Sequence, residues 1–164
     1  LKRLSKHHET GATLPRDLLD KMLAAKNVNV GLNMARQIYL STLDLEIHGT
    51  NPPTTAEGLQ ALVDRLRPEI SLIANPAGAN MLRSFGHLMN QYSAAYYGYL
   101  WAEVLSADMF ATCFEADPFD VKAGKRYRDL VLAPGGVGKI LDHLTTFLGR
   151  PPSQEAFLKS RGIA

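Results

Sequence analysis

The chain has 164 residues, of which 46% are hydrophobic and 21% charged, and its formal net charge is +2 at pH 7. This length and composition suit one globular domain with a sizeable core. The small net charge and the absence of a Lys/Arg tract argue against nucleic-acid binding. No apolar run approaches ~18 residues, so no membrane span is expected. The single cysteine, Cys113, excludes an internal disulfide and favours a reducing compartment.

The N-terminal end predicts a chain that is part of a longer protein. Its first residues, Leu1-Lys2-Arg3-Leu4-Ser5-Lys6, contain neither an initiator Met nor the apolar stretch of a signal peptide.

Breaker residues and apolar spacing predict the first two helices. Pro15, with acidic Asp17 in the first turn, marks the start of a helix that ends near Asn27. A second helix is expected over about residues 30–48, and Gly49 suits the position after its C-terminal end.

A third helix is expected to begin at a threonine cap. Thr54 or Thr55, with Glu57 close behind, is typical of a helix start. Pro68 is expected to kink or end this helix, with a short continuation through Ile73.

The second half of the chain predicts four more helices. The helix expected over about Ala94–Ala116 is the most hydrophobic, which predicts burial on most of its sides. Capping and breaker residues delimit three others, over about residues 118–130, 139–148 and 154–162. Asp117 is the predicted cap of the first of these and Ser153 of the last. No segment alternates with period 2, so the fold class is all-α, about seven helices in a single region over residues 1–164.

An aromatic stretch, residues 86–101, stands out from the rest. Tyr92, Tyr96 and Tyr99 are spaced i, i+4, i+7, so their hydroxyls share one face if the segment is helical. Each hydroxyl is a neutral donor at pH 7, and His87 offers an N–H. Such donors can stabilise an oxyanion if another group supplies the nucleophile. The alternative is ordinary, because an aromatic stripe at helical spacing is more often core than site.

Metal-ligand patterns are weak in this chain. It contains no His-Glu-x-x-His, the spacing that places two zinc ligands on one helical face. His7 and His8 are adjacent and would point in different directions on a helix, so with Glu9 they are more typical of a solvated polar segment. No metal site is predicted from these residues.

The motifs of the whole chain resemble peptidase family M3, the zinc peptidases of the thimet oligopeptidase, neurolysin and oligopeptidase A type. The most specific are Phe85-Gly86-His87-Leu88 and Tyr96-Tyr97-Gly98-Tyr99-Leu100-Trp101. Further segments resemble the family in the same order: residues 4–15, 36–38, 43–44, 127–128, 134–136, 147–152 and 157–162.

The resemblance implies an all-helical part of a larger zincin-like catalytic domain. The family's zinc is bound upstream by His-Glu-x-x-His and a later Glu, so this chain resembles a C-terminal fragment that lacks the zinc ligands. By motif position, Tyr99 would donate to the developing oxyanion, while His87 and Tyr92 would bind the transition state or the substrate backbone. Substrate contacts would come from Tyr96, Gly86 and Gly98.

One departure from the family pattern lies just before Tyr92. The usual Gly-Gly is Asn90-Gln91 here, which restricts the backbone angles of the loop. The resemblance therefore does not carry over the mobility of this loop.

The sequence thus predicts the C-terminal portion of a cytoplasmic zinc oligopeptidase that hydrolyses short peptides. Its expected partners are those peptides and the missing N-terminal part of the same protein. The isolated chain is expected to be inactive and to self-associate through an uncovered apolar face. The alternative is a non-catalytic helical module that binds peptides or a partner.

Overall fold

The computed structural model describes residues 4–163. Within them there are helices and turns but no β-strand, which confirms the all-α class. No helix of this described part combines the length and hydropathy needed to cross a membrane. The seven α-helices of residues 4–163 are α1 Arg16–Ala24, α2 Val30–Ile47, α3 Ala56–Ser71, α4 Gly98–Cys113, α5 Val121–Tyr127, α6 Ile140–Leu148 and α7 Glu155–Ser160.

Two compact units meet in sequence between Val30 and Gly31. The short unit holds a turn, closed by the His7 N–H donating to the Ala12 carbonyl at 2.9 Å, and then α1. A 3₁₀ turn, Ala25–Asn27, ends this unit's helix where the sequence predicts. A single region over residues 1–164 stays a prediction.

The larger unit has its main core where α2 and α3 pack with the segment that precedes α4. A fully buried Leu or Phe side chain contributes about 1.5–3 kcal/mol relative to its exposed state. The core therefore fixes the segment that carries His87 and the tyrosines. Its buried members are Tyr39, Leu40, Leu43, Leu62, Val63, Leu66, Phe85, Leu88 and Tyr96.

Helix α3 begins as predicted but ends later than Pro68 would suggest. The Thr55 hydroxyl accepts from the Gly58 N–H at 3.1 Å, which confirms the threonine cap. Pro68 lies inside the helix, which continues to Ser71. This last turn persists because Ser71 is buried and its hydroxyl donates to the Arg67 carbonyl at 2.6 Å.

Helix α4 is shorter and more exposed than the sequence predicts. It begins at Gly98 rather than Ala94, because Ala94 adopts a left-handed φ of 58° that a helix cannot contain. Trp101 is 55% exposed and Phe110 52%, and Asp108 is the one buried residue of α4. The prediction of burial on most sides is therefore wrong for this helix: hydrophobic composition alone does not decide which neighbours cover it. Self-association stays a prediction.

A polar side chain caps the helix that follows α4. Helix α5 begins at Val121, with Asp120 rather than Asp117 as its cap: the Asp120 carboxylate accepts from the Lys122 and Ala123 N–H groups. A π-helical segment, Arg128–Leu132, follows directly.

A second, aromatic core holds α5 and α6 against the end of α4. The rings of Phe114, Tyr127 and Phe147 lie 5.8–6.3 Å apart. The Arg126 guanidinium donates to the Phe147 carbonyl at 2.7 Å and lies 5.5 Å from the Phe147 ring.

A buried carboxylate joins α4 to the segment that enters α7. Asp108 accepts two hydrogen bonds from the Arg150 guanidinium, at 2.8 and 2.6 Å, and one from the Ser153 N–H at 2.7 Å. The pKa of Asp108 lies below its usual range mainly because of the hydrogen bonds from Arg150. The hydrogen bond from the Ser153 N–H also lowers this pKa. The predicted cap Ser153 also accepts from the Glu155 N–H at 3.2 Å, at the start of α7.

Replacing this carboxylate gives a test of its contribution to stability. Asp108→Asn is expected to lower the free energy of unfolding at pH 7 by about 2 kcal/mol, toward the lower end for a buried pair because Arg150 is partly exposed. Because the folded-state pKa is depressed, this stabilisation is present above about pH 4 and is lost as the pH falls through the folded pKa. Urea unfolding followed by circular dichroism from pH 7 to pH 2 measures both effects. Asp129→Asn, at an exposed ion pair, is the control, and equal pH profiles for Asp108→Asn and wild type would contradict the assignment.

Candidate functional site

Four side chains singled out in the sequence lie together in the larger unit, and we refer to His87, Tyr92, Tyr96 and Tyr99 as the tyrosine cluster. The Nε2 of His87 lies 3.2 Å from the hydroxyl oxygen of Tyr99. The ring centroid of Tyr99 lies 5.1 Å from that of Tyr96 and 5.9 Å from that of Tyr92. The His87 ring contacts all three tyrosine rings at 5.2–5.8 Å between centroids.

The cluster is not formed by one helical face. Only Tyr99 lies on α4, whereas His87 lies in a 3₁₀ turn, Gly86–Met89, and Tyr92 and Tyr96 lie in the turns between. The helical i, i+4, i+7 geometry is therefore wrong, although the side chains do meet. The left-handed Ala94 reverses the chain and brings the rings together instead.

Asp44, on α2, fixes that reversal. Its carboxylate is fully buried and accepts from the Ala94 N–H at 3.0 Å and from the Tyr96 N–H at 2.9 Å. The Nδ1 of His48 lies 3.0 Å from the same carboxylate. A buried carboxylate is costly unless it is hydrogen-bonded, so this arrangement couples the loop to α2. Sequence reasoning missed Asp44, although a charge between Leu43 and Leu45 was the available signal.

Asn90 closes the loop locally where the family pattern has glycine. Its side-chain oxygen accepts from the Tyr92 N–H at 3.0 Å, and its carbonyl accepts from the Ser93 N–H at 3.0 Å. The φ of Asn90 is −138°, an extended value that any residue adopts, so glycine is not required there. The departure from Gly-Gly thus replaces a permissive backbone with a hydrogen-bonded turn.

The three tyrosines of the cluster differ in exposure. Tyr96 is 8% exposed and belongs to the core, whereas Tyr92 and Tyr99 are 42% and 44% exposed. Desolvation raises the pKa of the Tyr99 hydroxyl above its usual 10, and the neighbouring Tyr92 and Tyr96 raise it further. Tyr99 is therefore a neutral donor throughout the physiological pH range.

Three members of the cluster, His87, Tyr96 and Tyr99, line a cavity of about 480 Å³. Helix α2 contributes Asn33, Met34 and Gln37 to its lining, and Glu103 and Arg161 add an ion pair with 2.8 Å between Oε2 and Nη2. Sequence reasoning did not select these lining residues, because most of them are distant from the aromatic motif along the chain. The cavity combines neutral donors with amide side chains and charges.

The two predicted substrate-contact glycines have open space around them. A Cβ at Gly86 or Gly98 would meet no neighbouring atom within 4 Å. Gly98 lines a second groove beside Tyr99, and Gly86 precedes His87. Close packing therefore does not explain either glycine, and their substrate contacts stay a prediction.

The candidate metal ligands among the described residues are not members of the tyrosine cluster. Within residues 4–163, one group of three metal-ligating side chains lies close together: the exposed His7, His8 and Glu9, in the short unit. The Nδ1 of His7 already accepts from the Glu9 and Thr10 N–H groups at 3.3 and 3.4 Å. Elsewhere, the Nε2 of His143 lies 2.8 Å from the Val137 carbonyl oxygen.

Comparison with known families decides the classification. The model of Peptidase family M3 matches residues 1–163. The chain belongs to peptidase family M3. This M3 membership confirms the family resemblance stated from the motifs, and the family is one of metallopeptidases.

Relatives of this M3 chain are similar over almost its entire length. It is 44% identical to saccharolysin of Saccharomyces cerevisiae over 98% of the chain and 23% of that protein. It is 34% identical to oligopeptidase A of Escherichia coli and 38% identical to thimet-like oligopeptidase of Dictyostelium discoideum, in each case over 98% of the chain and 24% of the relative. The M3 chain therefore spans less than a quarter of the length of these relatives.

The role of Asp44 can be tested by a nearly isosteric change. Asp44→Asn removes one acceptor and the charge, so we expect it to lower the free energy of unfolding by about 2–4 kcal/mol. We also expect faster amide hydrogen exchange at Ala94 and Tyr96, because the asparagine oxygen can accept from only one of these two N–H groups in the present geometry, and NMR-detected exchange measures it.

Glu46→Gln, on the same helix but exposed, is the matched control and should leave both quantities unchanged. Wild-type exchange rates at Ala94 and Tyr96 in Asp44→Asn would show that the carboxylate does not hold the loop.

Proposed function

We propose that this chain forms the substrate-facing part of a zinc-dependent oligopeptidase that hydrolyses short peptides. The observation that carries the proposal is the 3.2 Å contact between His87 and Tyr99 in the lining of a cavity, in a chain that belongs to family M3. In this proposal the chain binds the peptide and the charge that develops at the scissile carbonyl.

Tyr99 is the proposed oxyanion donor. Its raised pKa keeps the hydroxyl protonated, and a neutral donor adds a hydrogen bond without competing for a metal. With its proton on Nε2, His87 donates to the Tyr99 oxygen and leaves the Tyr99 hydrogen for the substrate. A hydrogen bond received in this way strengthens the one that Tyr99 donates.

The other members of the cluster are proposed to hold the peptide. Tyr92 is exposed to about the same extent as Tyr99. Together with His87, it binds the transition state or the substrate backbone. Tyr96 is mostly buried in the core but also lines the cavity, where it contacts the substrate. Gly86 and Gly98 leave room for a substrate backbone, since nothing else fills the space beside them.

Zinc, in this proposal, is held by residues outside this chain. Metal and general base would then come from the remainder of a longer polypeptide, the expected partner of this chain. The proposed location is the cytoplasm: one relative, 38% identical, is named probable cytosolic oligopeptidase A of Arabidopsis thaliana.

A second candidate is a helical module that binds a partner without catalysis. The exposed Trp101 and Phe110 of α4 favour it, since large aromatics are enriched in protein interfaces. In that case the tyrosine cluster would contribute to stability alone.

The isolated chain is expected to hydrolyse no peptide, because the zinc ligands are proposed to lie outside this chain. A quenched-fluorescent peptide incubated with the chain and zinc, with bound metal quantified, measures this. Chelator-sensitive turnover with about one zinc per chain would contradict the expectation and would direct attention to His7, His8 and His87.

The oxyanion role is tested by Tyr99→Phe in the full-length protein. Loss of one such donor costs about 2.7–4 kcal/mol, so kcat should fall by about 10²–10³-fold with little change in KM. Steady-state kinetics on a short peptide measures both constants.

Tyr97→Phe is the matched control, because Tyr97 is exposed, lies two residues before Tyr99 and is not a member of the cluster. It should keep the wild-type kcat. A wild-type kcat for Tyr99→Phe would exclude the donor role and favour the partner-binding module.

A further inference from the structure

A second groove borders Tyr99 on the side of α4. Its volume is about 620 Å³, and its lining includes Tyr92, Ala95, Tyr99, Ala102 and Glu103. Most of this lining is apolar or aromatic, and Glu103 is the single charged residue in it. Glu103 therefore presents one negative charge in a groove whose other walls are mostly apolar or aromatic.

Glu103 is held in position by Arg161. It follows Tyr99 by one helical turn on α4, and its Oε2 accepts from Arg161 Nη2 at 2.8 Å. The Arg161 guanidinium lies 5.2 Å from the Phe157 ring and its Nε is buried without a partner, so this side chain is packed rather than free. Among residues 4–163, Arg161 is the one partner that the structure gives the Glu103 carboxylate, which leaves Oε1 for a ligand.

These features match the chemistry of a basic side chain. Lys and Arg combine a long apolar stem with a charged head, and the stem can pack on Ala95 and Ala102. The electron-rich ring faces of Tyr92 and Tyr99 attract a cation, and the Glu103 carboxylate accepts its charge-assisted hydrogen bonds. An acidic side chain would be repelled by the Glu103 carboxylate, and an aliphatic one would leave Oε1 of Glu103 without a hydrogen-bond partner.

We propose that this groove binds a lysine or arginine side chain of the peptide substrate, with Glu103 as its counter-ion and Arg161 as the residue that positions Glu103. This inference rests on the proposed peptidase function and deepens it, since it names a class of substrate. The groove adjoins Tyr99, so the basic residue lies near the scissile bond.

The experiment uses the full-length zinc-loaded protein and paired quenched-fluorescent peptides. Lysine or norleucine, which share the aliphatic stem, is placed in turn at each of the residues flanking the cleaved bond. In wild type, kcat/KM for the lysine peptide should exceed that for the norleucine peptide by about three- to tenfold at one position, a modest ratio because Glu103 is half-exposed and shares Arg161. Glu103→Gln should bring this ratio to about one. Glu103→Lys should make a glutamate peptide better than the lysine peptide at that position.

Glu115→Gln is the matched control, because Glu115 is exposed just beyond the end of α4 and lines neither groove. It should keep the wild-type ratio. If Glu103→Gln lowers kcat/KM equally for both peptides, or if wild type shows no lysine preference at any position, the inference is wrong while the peptidase function stands. If wild type cleaves neither peptide, the proposed function fails and the groove assignment fails with it.

Discussion

The site depends on one buried carboxylate, that of Asp44. Removing this charge from water is unfavourable, and the structure compensates with the Ala94 and Tyr96 N–H groups. These two hydrogen bonds stabilise a backbone reversal that an alanine would otherwise disfavour, since the φ of Ala94 is 58°. The reversal in turn sets where Tyr92 and Tyr96 stand relative to Tyr99. The Asp44 hydrogen bonds therefore couple the aromatic cluster to α2, in addition to the packing of Tyr96 in the core of α2 and α3.

The cluster concentrates donors rather than charges. The rings of His87 and the three tyrosines contact one another. Desolvation raises the pKa of Tyr99, so its hydroxyl stays protonated. In such surroundings each hydrogen bond is electrostatically stronger than in water, but an unsatisfied one is also more costly. A peptide carbonyl that develops negative charge would satisfy these donors. The charged groups, Glu103 and Arg161, lie beside the cluster and pair with each other.

The loop within the aromatic motif of this M3 chain is held by a side chain of its own. The family pattern to which the motif was compared has Gly-Gly at the place of Asn90-Gln91. Here the Asn90 side-chain oxygen accepts from the Tyr92 N–H at 3.0 Å. The loop thus has a local hydrogen bond that a glycine cannot supply.

The sequence by itself determined the all-α class, most helix positions and the residues of the cluster. Thr55 and Pro15 are local signals, since capping and a fixed φ act within one turn, and the Tyr-Tyr-Gly-Tyr motif is contiguous. The tertiary structure decided the rest. Ala94 has a left-handed φ and its N–H donates to Asp44, 50 residues away along the chain, while α4 leaves Trp101 exposed. Glu103 pairs with Arg161, 58 residues away. These outcomes depend on contacts between segments distant in sequence, and neither helical periodicity nor local propensity encodes such contacts.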